Sequence, residues 1–548
     1  MKGSTIPSLV ALASSLALLP VAHSFVAPDL ESRNYGSMLQ LGVERVKHSD
    51  ADLMRRDLVP VAIDNYYGVA YIATINLGSP AQTVKVQLDT GSSDLWVQAA
   101  TNPFCAAKKT NCEESGTFDA AKSSTFSQLQ NDPFNISYVD TTGAEGIYAT
   151  DTLEIGNATI DNFVFGYAEN SNSTLGVLGV SFTLGEQSNQ SYPNLPYRLK
   201  QDSIIDLVAY SLWLNDLEAN VGSILFGGID KGKFTGELSV IPIYPEVTIQ
   251  NTEYFADFNV TLTGITVSSS SDANNKSIVY GPSDALVTGY DTIYTILDSG
   301  TSLGTFPLPI ITGIVDALGL SDAAQYQDQY AVYQVDCTLM TSDALVEFEF
   351  GGKASVVVTM DQFIQVLTTD AFGQDLCGIA MQASESLNPY SESYIIGDTV
   401  LRSAYVVYDL ENRMIGLAQT SFNSSVTDLY SLSSAGIPNG LTGTGTNNSE
   451  NEDNPSFTFA STFTDTASVI GTGITTDPGS PSLTAASVTA SLTSPTPRSH
   501  GSTTTSARTT QNTSSGSNAS GASTLASHPA SAAVIIVAFV LGVGAILM

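Results

Sequence analysis

Two aspartates head nearly the same five-residue segment. Asp89-Thr90-Gly91-Ser92-Ser93 follows the alternating run Val84-Lys85-Val86-Gln87-Leu88. Asp298-Ser299-Gly300-Thr301-Ser302 follows Thr292-Ile293-Tyr294-Thr295-Ile296-Leu297, with the two aspartates 209 residues apart. Further along, each copy has two apolar residues and a glycine, Val177-Leu178-Gly179 in one half and Ile395-Ile396-Gly397 in the other. One D-[ST]-G at a strand end is an ordinary turn. Two matched copies imply a duplicated unit that contributes one carboxylate from each half to a shared site.

Such a pair can do acid–base chemistry. Like charges about 3 Å apart cannot both ionise, so the pair holds one proton across a window of acidic pH. The ionised partner can take a proton from a water between them while the protonated partner donates to a substrate carbonyl. Water then adds without a covalent intermediate. The neighbouring residues suit this task. Gly91 and Gly300 allow a tight turn and offer backbone N–H groups, Ser92 and Thr301 can hydrogen-bond the outer carboxylate oxygens, and Thr90 and Ser299 can tie the two loops across the axis.

Other chemistries are excluded by what the chain lacks. Its four histidines are His23, His48, His500 and His528, so none lies between 57 and 430. That span cannot build a Ser-His-Asp triad, a Cys-His pair or a His-ligated zinc site, and neither a metal nor a cofactor is expected. Acids outnumber bases 54 to 20 over the 548 residues, a net charge of −34, which repels nucleic acid. Nearly all of the excess lies between 57 and 430. It suits acidic working conditions, in which carboxylates are partly neutralised and cationic peptides are attracted.

The elements that must position the aspartates read as β. Short alternating or β-branched runs recur at Tyr71 to Leu77, Thr83 to Leu88, Thr152 to Ile155, Asn162 to Gly166, Ser223 to Phe226, Ala344 to Phe350 and Ala404 to Asp409, punctuated by Gly, Asn and Pro. Helices are expected only at Ser203 to Leu207, Leu308 to Leu318 and Met360 to Val366. The expected fold is all-β and bilobal, with lobes at 57–240 and 241–425 and the site between them. Four cysteines in an oxidising compartment should pair. The local pairing, Cys105 with Cys112 and Cys337 with Cys377, keeps each bridge within one half, and two other connectivities remain open.

The ends describe a trafficking route. Residues 1–24 carry Lys2, an uncharged run from Val10 to Val21 and Ala22-His23-Ser24, the pattern of a secretory signal peptide. Residues 426–520 are rich in Ser, Thr, Gly and Asn and read as a disordered, O-glycosylated stalk. Small residues around Asn518, a polar spacer and the apolar run Ala532 to Met548 form the pattern of a GPI-anchor signal, with 521–548 removed. Asn518 is the preferred attachment residue, with Gly516, Ser520 and Gly521 as neighbours; a tail-anchored or single-span protein is the alternative. Sequons at Asn135, Asn157, Asn172, Asn189, Asn259, Asn275, Asn423, Asn447, Asn512 and Asn518 point to a glycosylated surface.

At this point the chain resembles the pepsin-type aspartic endopeptidases over about 60–425. Asp89 to Trp96 (D-T-G-S-S-D-L-W) matches the family's first catalytic segment almost letter for letter. Tyr66-Tyr67-Gly68 with Ile75 to Pro80 resembles the mature N-terminal strands, Gly222 to Gly228 the end of the first lobe, and Ile395 to Asp398 with Tyr405 to Ala418 the closing strands. The resemblance implies an endopeptidase acting on peptides or proteins, with Asp89 and Asp298 catalytic and a monomeric chain. It implies that Tyr138 covers the substrate as the flap tyrosine, with Trp96 as flap support and Val177 in substrate binding. The flap departs from the usual pattern, since Val139 stands where Gly is common and one residue is added before Gly146.

Asp140 beside that tyrosine could pair with a basic substrate side chain near the scissile bond. Arg55-Arg56 resembles a dibasic processing site that closes a propeptide at 25–56, in which Lys47 is a candidate partner for the dyad. The layout is closest to the fungal yapsin-like, GPI-anchored aspartic proteases, which implies the outer face of the plasma membrane or the cell wall. Two further readings are a catalytically silent binding or inhibitory protein of the same fold, and a wall adhesin. Neither accounts for both intact triplets.

Overall fold

The computed structural model describes residues 33–34, 37–47, 69–106, 110, 112–139, 141–219, 221–281, 293–328, 330–369, 372–384 and 394–446. Arg55, Arg56, Asp140, Asn447, Asn512 and Asn518 lie outside them, as do the signal and anchor segments and the stalk beyond 446. The fold is all-β and bilobal. Among the described residues no helix is long and apolar enough to cross a membrane, and no group of His, Cys, Asp and Glu could hold a metal ion.

Alternation sets the catalytic strands. In Gln82–Asp89 the side chains of Val84, Val86 and Leu88 are buried while Lys85 and Gln87 are not. In Ile293–Leu297 the buried set is Ile293, Thr295 and Leu297. Each strand therefore presents one face to a core and ends with its aspartate at the rim.

The duplication read in the sequence is a duplication of strand pairing. Gln82–Asp89 pairs in parallel with Gly176–Gly179, which pairs antiparallel with Leu95–Gln98, which in turn pairs in parallel with Ala158–Ser171. In the second half Ile293–Leu297 pairs in parallel with Tyr394–Ile396, that strand antiparallel with Gly304–Pro307, and that one in parallel with Met381–Ser384. The apolar-apolar-Gly stretches are thus the parallel neighbours of the catalytic strands, with Asp89 level with Gly179 and Leu297 level with Ile396.

The halves do not separate cleanly near 240. Phe234–Pro242 pairs with Met414–Thr420, which continues through Ala404–Asp409 to Ala209–Trp213 and Val221–Phe226. This shared sheet underlies the site, where Tyr210 of the first half stacks on Tyr408 of the last strands at 4.9 Å. Phe258 packs on Tyr408 at 4.6 Å. Both bridges form within their own halves, Cys105–Cys112 with Cα atoms 5.3 Å apart and Cys337–Cys377 with 5.1 Å.

Four sequence expectations shift. Residues 203–207 are turn and bend, and the helix lies earlier, at Leu195–Gln201, where Pro196 occupies its first turn. Helix Met360–Phe363 ends where β-branched residues begin, and Ile364–Thr369 is a strand. The upstream segment supplies a strand, Leu39–Lys47, inserted between Val221–Phe226 and Val69–Leu77. Folded structure also runs past 425. Leu429–Ser431 pairs with Gly228–Asp230, and Leu432 and Ile437 are buried, so these apolar residues give the segment a core contact that its Ser/Gly-rich composition conceals.

Candidate active site

Each aspartate is held by its own loop in the same way. The Gly91 amide donates to Asp89 Oδ1 at 2.8 Å and the Ser92 hydroxyl to Oδ2 at 2.5 Å. The Gly300 amide donates to Asp298 Oδ1 at 2.7 Å and the Thr301 hydroxyl to Oδ2 at 2.6 Å. Both carboxylates are largely buried, at 6 % and 8 % exposure. Each glycine faces the opposite carboxylate: a Cβ on Gly300 would come within 2.3 Å of Asp89 Oδ1, and one on Gly91 within 2.6 Å of the Asp298 carboxyl carbon. Glycine is needed here for close approach, and the approach is what brings the acids together.

The loops are tied across the axis by the residues between. The Thr90 hydroxyl donates to the Leu297 carbonyl and accepts the Ser299 amide, both at 2.9 Å. The Ser299 hydroxyl returns the tie to the Leu88 carbonyl at 3.1 Å. A further cross-half bond runs from Gln87 Nε2 to the Gly300 carbonyl at 2.9 Å. Burial pushes the Asp89 carboxyl well above the usual carboxylate range, and the neighbouring Asp298 adds to the rise, while donation from Ser92 and Gly91 opposes it. A like-charged pair in a low-dielectric site keeps one proton for this reason.

Ser127–Ser137 and Gly143–Ile155 pair as a hairpin whose turn carries Tyr138 toward the first aspartate loop. At its turn the Tyr138 amide donates to the Thr142 carbonyl at 2.8 Å. The Tyr138 hydroxyl accepts from Trp96 Nε1 at 2.8 Å and lies near Ser92 and Asp89. Trp96 and Val177 are 1 % and 7 % exposed and pack with Phe134, Ile136 and Tyr148 beneath the flap. The same Asn172 that opens a sequon braces the hairpin, accepting from the Gly143 amide at 2.7 Å and donating to the Thr141 carbonyl at 3.0 Å.

Asn135, Asn157, Asn172 and Asn189 are exposed and Asn423 is half-buried; Asn275 lies in the strand Asp272–Tyr280. Asn259 is different. It is 4 % exposed and its amide donates to Glu246 Oε2 at 2.5 Å, so this sequon is buried in the folded chain. Its place is the first residue of a core strand, Asn259–Ser269.

Three acids near the site are not among the residues that the sequence assigns to it. Asp94 is fully buried, accepting from Tyr148 at 2.7 Å, Tyr192 at 2.5 Å and the Gln187 amide at 3.0 Å. It braces the loop that follows Asp89; the signal for it was an acid inside the otherwise uncharged run Thr90 to Val97. Asp398 is also fully buried, and burial holds its carboxyl well above the ordinary range against the pull of Arg402. The third, Asp257, becomes visible only through pairing register.

The chain matches the family model described as eukaryotic aspartyl protease over residues 70–420. It is 37 % identical over 436 residues to the Aspergillus oryzae protein named probable aspartic-type endopeptidase opsB, covering 77 % of this chain and 84 % of the relative. It is 31 % identical over 457 residues to aspartic proteinase yapsin-3 of Saccharomyces cerevisiae, 80 % and 82 % of the two chains. With secreted aspartic protease 7 of Candida albicans it shares 32 % identity over 372 residues, 65 % of this chain and 60 % of the other. With paired aspartates on duplicated strand ends, a hairpin beside them and these relatives, the chain belongs to the pepsin-type eukaryotic aspartyl proteases and is an aspartic endopeptidase.

Proposed function

We propose that Asp89 and Asp298 share one proton and hydrolyse peptide bonds through a water activated between them. The observation that carries this reading is the mutual approach of the two carboxylates across loops whose glycines admit nothing larger. Burial and the neighbouring Asp298 raise the Asp89 carboxyl, so the pair keeps one proton; the protonated carboxyl donates to the substrate carbonyl and the ionised one takes the proton from water. The water oxygen bonds to the carbonyl carbon, giving a neutral tetrahedral diol. Return of the proton to the leaving nitrogen then breaks the C–N bond. The Tyr138 flap closes over the peptide and excludes bulk water.

The protease is read as secreted and made as a zymogen. The apolar N-terminal run of residues 1–24 and the pairing of cysteines in both halves support secretion, as does its likeness to a protein named secreted aspartic protease 7. Arg55-Arg56 ends the propeptide, Asn518 receives a GPI anchor, and the chain works as a monomer at the outer face of the plasma membrane or in the wall. Asp140 on the flap favours basic residues near the scissile bond.

The test is cleavage of a mixed peptide library from pH 3 to pH 7 by the secreted protein and its Asp89→Asn variant. Acid-dependent cleavage by the first, lost in the second and blocked by a statine-type inhibitor, is the expected result. Undiminished cleavage by Asp89→Asn sinks the dyad mechanism.

A further inference from the structure

The strand Asn259–Ser269 runs antiparallel to the catalytic strand Ile293–Leu297, with Leu262 level with Ile293 and Asn259 level with Ile296. Asp257 lies two residues before that last pair and Asp298 two residues after it, so both acids stand at the same end of the paired strands. Phe258 packs into the core, with its ring 5.2 Å from Phe182 and 4.6 Å from Tyr408, while Asp257 beside it stays half-buried. The preceding residue fastens this segment to the other catalytic loop: the Ala256 carbonyl accepts from the Ser181 hydroxyl at 2.8 Å, and the Ser181 amide donates to the Ser92 carbonyl at 2.9 Å. Asp257 therefore sits beside the dyad on a segment tied to both halves.

Nothing described neutralises it. Among the described residues Asp257 has no hydrogen-bond or ion-pair partner. The other charges around it are the anionic Glu246 and Asp298. Arg413, on the neighbouring turn, lies over the Phe255 ring at 4.4 Å and pairs with Glu253 at 3.5 Å. A half-buried carboxylate beside two others, next to the aspartates that act on peptides, lacks a cation that a substrate can supply.

We infer that Asp257 is a specificity-determining residue whose carboxylate receives the ammonium or guanidinium group of a substrate residue next to the scissile bond. The inference rests on the proteolytic reading of the dyad and adds a pH dependence to its selectivity. Burial, and then the charges of Glu246 and Asp298, push the Asp257 carboxyl up to about 7. At the acidic end of the working range it is neutral and indifferent to charge. As pH rises toward 7 it ionises, and the preference for a basic residue grows. A bound ammonium group favours the ionised carboxylate, so this change begins below the value of the free enzyme.

The experiment compares peptide pairs that carry lysine or norleucine at one position from two residues before to two after the cut, assayed with the secreted full chain between pH 4 and pH 7. The ratio of kcat/KM within a pair cancels the titration of the dyad itself. The expected result is a lysine:norleucine ratio that rises about tenfold with pH at one position, the size of a charge-assisted hydrogen bond. Asp257→Asn removes that rise and Asp257→Glu retains it. A ratio that stays flat in the wild type, or rises equally in Asp257→Asn, overturns the inference while the proteolytic reading stands. If Asp257→Asn fails to fold, Asp257→Ser carries the same comparison, and Asp140→Asn, which should keep the rise, separates the two acids. A wild-type protein that cuts neither peptide at any pH overturns the proteolytic reading, and this inference with it.

Discussion

Trp96 Nε1 donates to the Tyr138 hydroxyl at 2.8 Å, joining the tip of the lid to a tryptophan that follows the first catalytic loop. Because the same hydroxyl lies near Ser92 and Asp89, the oxygen that holds the lid stands beside the dyad. Tyr138→Phe keeps the ring and deletes that oxygen, leaving the indole N–H unpaired. A lost hydrogen bond of this kind costs about 1–2 kcal/mol, so kcat/KM should fall about tenfold with little change in thermal midpoint. Unchanged kcat/KM would mean that the bond plays no part in holding the lid.

The dyad titrates as a unit, and its upper apparent value belongs to the pair. Since Ser92 donation works against the rise at Asp89, Ser92→Ala should raise the apparent value of the pair further. The alkaline limb of the pH profile for kcat/KM then moves to higher pH, a direction readable with one substrate from pH 3 to pH 8. A shift to lower pH would show that Ser92 donation does not favour the ionised dyad.

Close approach of the loops makes an alanine scan of the two glycines informative. Gly300→Ala sets a methyl group 2.3 Å from Asp89 Oδ1, which forces the carboxylates apart. A loss of at least about a hundredfold in kcat is expected, the lower bound for removing acid–base assistance. Circular dichroism should show the sheet intact, and activity within threefold of wild type would refute the geometry.

Glu186 gives a stability test away from the dyad. Burial raises its carboxyl to about 8, against 4.5 for an ordinary glutamate. A group that binds its proton more tightly when folded stabilises the fold fully below the lower value, and that contribution is lost as pH climbs to the upper one. The wild-type thermal midpoint should therefore decline between about pH 4.5 and pH 8. Glu186→Gln should lessen the decline and be the more stable protein at pH 7. Parallel midpoint–pH curves for the two proteins would show that Glu186 does not titrate in this window.

The strand Leu39–Lys47 is paired on both edges, and Leu39, Leu41 and Val43 are at most 2 % exposed. Burying three such side chains is worth about 4–9 kcal/mol, comparable to the stability of a whole domain. A chain synthesised from Asp57 onward should therefore refold in much lower yield than one starting at residue 25, and both should extend to residue 446 to keep Leu432 and Ile437. Equal refolding yields would show that the strand is dispensable.

The parts of this protein that a sequence can state by itself are those written in local pattern. The two D-[ST]-G-[ST]-S segments, the alternation before each and the apolar-apolar-Gly stretches after them are short-range features, and they were enough to read a duplicated β fold with one aspartate per half. Turn glycines and strand-end hydroxyls act within three residues of their aspartates, so their contacts to Asp89 and Asp298 were legible too. Tertiary structure decided whatever depended on partners far away in the chain. Asp257 looks like any surface acid until strand pairing brings the end of its segment beside the end of the Asp298 strand, and Asn259 looks like an accessible sequon until its strand is buried. The segment after 425 reads as stalk until Leu429–Ser431 finds an edge at Gly228–Asp230. Register and burial are properties of two segments at once, and neither segment encodes them alone.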